Sequence, residues 1–356
     1  MVVIANTPYS GLAIARSLGR LGVPVHGVHP VPHSAAARSR YWRSSRVWDL
    51  ACAPEQQSLQ WLLELGQELG QRPLLVCTDD RSSLFVADHA KALRSAFRFP
   101  AQTPGLAHAL SSKQQLFHLC TQHGIPTAHT HFPCSREDVL RYAARGPFPV
   151  MLKGVDTQAL WRRVGVRMRR VEDARTLLSL YEQWETPHAP NLMLQEYVPG
   201  GCDRIWMLSA YYGAQGRRLF GMSARKLREY PAYRGVTCLG VCEHNPAVLA
   251  LCERFMGAVG YRGILDLDFK LDERTGEYKA LDANPRIGAN FRLFVDAQGN
   301  DVIRACYRDL TGQPVPAPQP NDGRKWMVED FDCVASLRYL RDGQLGAGTG
   351  WPVRSR

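Results

Sequence analysis

GILDLDFKLDERTGEYKALDANPR, residues Gly263 to Arg286, is a stretch built to fold back on itself. From Ile264 to Leu271 apolar and polar residues alternate, which puts Leu265, Leu267, Phe269 and Leu271 on one face of a strand and Asp266, Asp268 and Lys270 on the other. Asp272, Glu273, Arg274, Thr275 and Gly276 supply turn chemistry, and Tyr278 to Asn284 reads as the returning strand, with Asp282 and Asn284 sharing a face. A turn centred on Thr275 sets Asp268 opposite Asp282. Facing carboxylates repel unless a cation sits between them, and an oxygen-only set suits Mg²⁺ or Mn²⁺ rather than zinc. Alternation alone fits the wet face of an ordinary antiparallel pair equally well.

The end of the stretch separates the two readings. Asn284, Pro285 and Arg286 follow Asp282 directly; Pro285 removes a ladder donor and ends the strand, leaving Arg286 to project beside the acids. A guanidinium there suits phosphoryl or carboxylate oxygens. An acidic strand, a short turn and an acid two residues before Asn-Pro-Arg resembles the metal-binding end of the ATP-grasp superfamily, and within it the carboxylate-amine ligases of the D-aspartate ligase and carbamoyl-phosphate-synthase-like type. Asp282 stands where that family more often has Glu.

The resemblance implies a mixed α/β and α+β architecture: a Rossmann-like pre-ATP-grasp domain over residues 1–110, then a two-lobed ATP-grasp fold with its small lobe at 111–190 and its large lobe, with the metal site, at 191–312. It implies metal ligands Asp268, Asp282 and Asn284, with ATP and Mg²⁺ (or Mn²⁺) as cofactors. Lys153 ends the apolar run Phe148–Leu152, where an ammonium needs water or an anion. By resemblance it touches the α- and β-phosphates, and Lys113, just inside a helix that Ser111 or Ser112 can cap, opens the ATP-binding region. NLMLQEYV, residues 191–198, is an apolar strand running into Pro199, Gly200 and Gly201, a hinge. There the resemblance sets Gln195, Glu196, Tyr197 and Val198 against adenine and Asp203 against ribose; for Tyr197, core packing is an equal reading. ARKLREYPAYRG, residues 224–235, gathers Arg225, Lys226, Arg228 and Arg234 around aromatics. Such a cluster can bind single-stranded nucleic acid; beside a triphosphate it suits the γ-phosphate or an anionic substrate, so Arg286, Lys226 and Arg225 are the expected catalytic cations.

The rest of the chain sets bounds. Val2–Ala5, a helical segment Leu12–Leu21 and Val25–Val28 form a βαβ opening, but the loop Asn6–Gly11 holds only Gly11 where a dinucleotide fingerprint wants three glycines. Strand Leu74–Cys77 runs into Thr78, Asp79 and Asp80, either ligand-binding residues at a strand's carboxyl end or caps for the following helix. The chain has 356 residues, 45% hydrophobic, with a net charge of +11, which favours polyanions such as ATP or acidic substrates. Seven lysines among 44 basic residues leave a surface rich in arginine. Ten cysteines without a C-x-x-C pair fit a reducing cytoplasm and give no zinc motif, Cys238, Cys242 and His244 being irregularly spaced. Neither signal peptide nor membrane span is evident. Residues 313–323 read as a proline-rich linker and 324–356 as a tail.

The expected activity is an ATP-dependent joining of a carboxylate, an amino acid or other small acid, to an amine through an acyl phosphate, releasing ADP and phosphate. The expected partners are small molecules, with no nucleic acid and no membrane, and a homodimer is compatible with them. Two rivals stand: another ATP-grasp reaction such as carboxylation or phosphorylation, and a non-catalytic nucleotide- or nucleic-acid-binding module.

Overall fold

Three sheets, each with its own core, carry the chain. A computed structural model describes residues 1–5, 9–32, 35–186 and 188–345. Asn6, Thr7 and Pro8 of the first loop and residues 346–356 of the expected tail lie outside the described residues.

The first sheet is parallel, with β1 (Val2–Ala5), β2 (Val25–His29), β3 (Trp42–Val47) and β4 (Leu74–Cys77) in the order β3-β2-β1-β4. Val2, Ile4 and their neighbours on β1 are fully buried because helices cover both faces, which is why the run reads as continuously apolar. The first helix begins earlier than the periodicity suggested, at Tyr9, and ends at Gly19. Of the two acids after β4, Asp79 accepts from the Ser82 amide at 3.0 Å and caps helix Asp80–Asp88, while Asp80 is left to reach outward.

The second sheet is antiparallel: β5 (Thr130–His131), β6 (Val150–Gly154), β7 (Met168–Val171) and β8 (Leu192–Glu196), ordered β5-β8-β6-β7. Val150, Leu152, Leu192 and Leu194 bury one face against helices Arg136–Arg145 and Ala174–Trp184.

The third sheet is the largest. Its six strands are β9 (Ile205–Tyr212), β10 (Arg218–Tyr230), β11 (Val236–Cys242), β12 (Gly263–Asp272), β13 (Glu277–Asn284) and β14 (Lys325–Met327), in the order β13-β12-β9-β10-β11-β14. One face, with Trp206, Leu208, Leu265, Leu267 and Phe269, packs on helix Pro246–Ala258, which Asn245 caps by accepting from the Val248 amide. The opposite face carries Met207, Ala224 and Ile264 and shares a core with β1 and β4 of the parallel sheet. The first sheet thus backs onto the face that bears the hairpin acids.

Two expectations are corrected here. Residues beyond the prolines do not form a free tail: β14 pairs with β11, and helix Glu329–Arg341 lies on β10 and β11. The proline-rich stretch is itself docked, through Ala297 N–H to the Gln319 carbonyl at 3.1 Å and Asn321 to the Val295 carbonyl at 3.0 Å. The helix is held by a buried fork, Arg228 Nε and Nη2 each 2.7 Å from a carboxylate oxygen of Asp332. Removing one partner strands the other charge away from water, so Asp332→Ala should cost about 3–5 kcal/mol. A urea-unfolding midpoint close to that of the unaltered chain would show that this helix is not held as described.

Candidate active site

The hairpin β12–β13 brings Asp268 opposite Asp282 and Asp266 opposite Asn284. The register arises differently from the sequence reading. Asp272 pairs with Glu277 and Phe269 with Ala280, so the turn is centred between Arg274 and Thr275, and a bulge at Leu281 then restores the Asp268–Asp282 pairing. On the other side, Asp266 faces Ser209 and Asp268 faces Met207 on β9. Burial is the largest influence on both strand carboxyls. It pushes Asp266 and Asp268 well above the usual carboxylate range; the charge of Asp268 adds to the effect on Asp266, whereas Lys226 pulls Asp268 back.

Cations reach this face from separate elements. Lys113, first in helix Lys113–Gln122 behind the Ser112 cap, places Nζ 3.6 Å from Asp282. Lys153, next to last on β6, donates to Gln195 Oε1 at 2.7 Å, and Gln195 in turn donates to Thr130 Oγ1 at 3.1 Å. Burial first and the Lys113 charge second lower the Lys153 ammonium to about 8. Lys226 is buried on β10, 3.5 Å from Glu229. Arg286 has its Nε 2.6 Å from Asp80 and its Nη2 3.2 Å from Asn284 Oδ1. Asp80 reaches over from the parallel sheet, and Ser83 Oγ, from the same helix, donates to the Pro285 carbonyl at 3.2 Å.

Arg225 is a correction. Strand β10 runs on to Tyr230, so residues 225 and 226 project to opposite faces. Arg225 pairs across to Trp206 on the far face and binds Glu243 at 3.0 Å, away from the acids. The basic cluster of residues 224–235 is similarly divided, since Arg228 is spent on Asp332.

The remaining expected residues line the junction of the second and third sheets. Glu196 ends β8 with its carboxylate on Lys279 Nζ at 2.9 Å and Arg274 at 2.6 Å, so its side chain is tied to the hairpin, while its backbone N–H donates to the His129 carbonyl at 2.7 Å. Buried Asp272 joins the same knot through Lys279 and Arg274. Tyr197 lies under the Arg170 guanidinium, 4.3 Å from its ring centroid, rather than in the core. Val198 is buried, and Asp203 sits in a short 3₁₀ turn, 3.7 Å from Arg204. Lys270, on the acids' strand, donates to the Gly200 carbonyl at 2.9 Å and so fastens the hinge.

Asp266 was visible in the alternation yet left out of the expected ligand set; its two-residue spacing from Asp268 was the available signal. Asp80, offered by the sequence as a ligand-binding residue or a cap at the carboxyl end of β4, gave no signal of its meeting with Arg286. A cavity of about 630 Å³ opens between the first and third sheets, with Leu75, Val86, Phe99, Ile264, Arg286 and Ile287 among its walls. Ile264 lies on the same face as Asp266 and Asp268, so the cavity continues the line of acids. Among the described residues, no three His, Cys, Asp or Glu side chains gather as a metal site by themselves. Two carboxylates and an amide still fit Mg²⁺, which is commonly held by one or two carboxylates, water and substrate phosphates. All ten cysteines are free, and Cys238 and Cys242 are buried with their thiols near Asp332 and the Leu293 carbonyl, without a metal-ligand arrangement. No helix among the described residues is long and apolar enough to cross a membrane.

The structure resembles N5-carboxyaminoimidazole ribonucleotide synthetase from Thermus thermophilus, with a TM-score of 0.67 over 90% of this chain and 81% of that one at 18% identity. L-amino acid ligase from Bacillus licheniformis gives a TM-score of 0.65 over 87% and 73% of the two chains at 14% identity. The fold is that of the ATP-grasp superfamily. No family model matches the sequence. The D-aspartate ligase of Enterococcus faecium (strain Aus0004) is 22% identical over 268 residues, 70% of this chain, and the match spans 62% of that ligase's length. Lys153 stands on the second sheet and the hairpin acids on the third, whose core also takes in Leu116 and Cys120 of the Lys113 helix, so that helix lies with the third sheet rather than with the small lobe expected over 111–190.

Proposed function

We propose that the chain is an ATP-dependent, ADP-forming carboxylate-amine ligase, with residues 1–110 on the substrate side and the second and third sheets enclosing the nucleotide. The observation that carries this reading is the convergence of two ammonium groups on the Asp268–Asp282 pair: Lys113, from a helix packed on the hairpin's own sheet, 3.6 Å from Asp282, and Lys153, from the second sheet, near enough to feel the charges of Lys113 and Asp282. Ammonium groups and paired acids on one wall match a triphosphate and its divalent ions. The likeness to an L-amino acid ligase and to a D-aspartate ligase favours amide formation.

In this account Lys153 and Lys113 hold phosphate oxygens, the backbone at Glu196 and Val198 meets adenine, and Asp203 meets ribose. Asp268, Asp282 and Asn284 would hold Mg²⁺, whose bound charge neutralises the phosphates. A carboxylate oxygen attacks the γ-phosphorus, the bond to the β-phosphate oxygen breaks, and ADP leaves. Lys226 and Arg286 lie where negative charge builds on the transferred group, and Asp80 fixes the guanidinium in place. The amine nitrogen then attacks the acyl carbon, loses a proton, and phosphate departs. The cavity walled by Arg286 and Ile264 takes the organic body of a substrate.

Amino acids tested in pairs with ATP and Mg²⁺ should give ADP together with a product heavier than either acid by the mass of the other less water. ADP formed only when bicarbonate is supplied would indicate carboxylation instead. Salt-sensitive binding to polyanions without any turnover would indicate a binding module.

A further inference from the structure

Three buried oxygens near the acids have no hydrogen-bond partner among the described residues: Asp266 Oδ1, Ser209 Oγ and Asn290 Oδ1. They belong to one place. Asp266 and Ser209 are directly paired across β12 and β9, so their side chains share a face, and Ser209 is fully buried. A Cβ at Gly288 would overlap Asp266 Oδ2 and lie 3.0 Å from Asn290 Oδ1, which brings Asn290 to the same carboxylate and explains why this position has no side chain.

The neighbouring cation does not satisfy these oxygens. Arg286 directs its donors to Asp80, Asn284 and the Ile287 carbonyl, and so touches none of the three. Asn290 turns its NH₂ to Met207 Sδ at 3.2 Å, leaving its carbonyl oxygen facing the gap. A buried carboxylate oxygen without a donor is costly, so two unmet acceptors beside an unpartnered hydroxyl call for a group that brings several donors. An ammonium brings three donors, and its charge favours the ionised form of the Asp266 carboxyl that burial alone disfavours.

The geometry points to an ammonium-binding subsite formed by Asp266, Ser209 and Asn290, which anchors the unreacting amino group of the carboxylate donor and makes that donor an amino acid. This rests on the ligase reading above. Asp266 stands two residues from Asp268 on the same face, about 7 Å along the strand. A small amino acid can therefore put its ammonium on Asp266 while its carboxylate reaches the transferred phosphoryl group near Asp268 and Asp282. The anchored ammonium keeps its protons throughout, and no bond to it is made or broken.

The test uses hydroxylamine as the amine, because it captures acyl phosphates as hydroxamates, and compares each amino-acid donor with the acid that lacks only its amino group: alanine with propionate, aspartate with succinate, glutamate with glutarate. The unaltered chain should favour one amino acid over its deaminated partner by at least about tenfold in kcat/KM. Asp266→Asn should lower kcat/KM for that amino acid by about 10–100-fold and bring the two donors close to parity, mostly through KM for the donor. Ser209→Ala and Asn290→Ala should move in the same direction by smaller factors, which keeps the test decisive if the Asp266 variant does not fold. Equal use of both donors by the unaltered chain would overturn the subsite while leaving the ligase reading in place, and so would undiminished selectivity in all three variants, the outcome expected if water fills the gap. Failure of every donor to give ADP would overturn the ligase reading and this subsite with it.

Discussion

Asp282→Asn should lower kcat by at least about a hundredfold while leaving the melting temperature nearly unchanged. The amide keeps the shape of the carboxylate, so the hairpin has no steric reason to move. What it loses is charge at the point where Lys113, 3.6 Å away, and Asp268, in register across the strand pair, both converge. A divalent ion bridging phosphates would lose one of its two anionic ligands, and raising Mg²⁺ would restore only part of the rate. Asp272 provides the contrast. It lies on the same hairpin, but it is fully buried and tied to Lys279 and Arg274, so Asp272→Asn should cost stability first. Near-normal turnover in Asp282→Asn would remove the metal assignment.

Lys153→Met should raise KM for ATP by about tenfold or more and should also remove a pH dependence that the unaltered chain shows. The sign follows from the Lys153 pKa of about 8, lowered chiefly by burial from its ordinary value. Phosphate oxygens bind the charged form, so affinity for ATP is complete below pH 8 and declines as pH rises through it, by up to about tenfold per unit. Methionine fills similar space without a proton to lose, so its KM should be uniformly high and flat across that range. Unchanged ATP affinity in the variant, or a KM for the unaltered chain that falls above pH 8, would count against Lys153 as a phosphate ligand.

The parts of the site legible in the sequence are those set by local rules. Alternation fixes a face, so Asp268, Asp282 and Asn284 could be assigned to one wall before their neighbours were known. Ser112 announces a helix start because caps act within three residues. What was hidden depends on long-range placement. Asp80 meets Arg286 across 206 residues, and nothing in either neighbourhood encodes that meeting. Arg225 was misassigned because residues 224–235 were read as one basic cluster, whereas 225 and 226 are adjacent positions of β10 and project to opposite faces, Arg225 toward Glu243. The docked C-terminal segment was obscured by its short strand, Lys325–Met327, too brief to show periodicity, and by prolines that suggested a spacer although their stretch lies against the large lobe.

The most direct measurement is a crystal structure of the chain with Mn²⁺ and a non-hydrolysable ATP analogue, using anomalous scattering to locate the ion. The account predicts a peak between Asp268 and Asp282, with Asn284 and phosphate oxygens completing its ligands and the ammonium groups of Lys113 and Lys153 on the triphosphate. A nucleotide bound elsewhere, or an ion peak away from both aspartates, would contradict it.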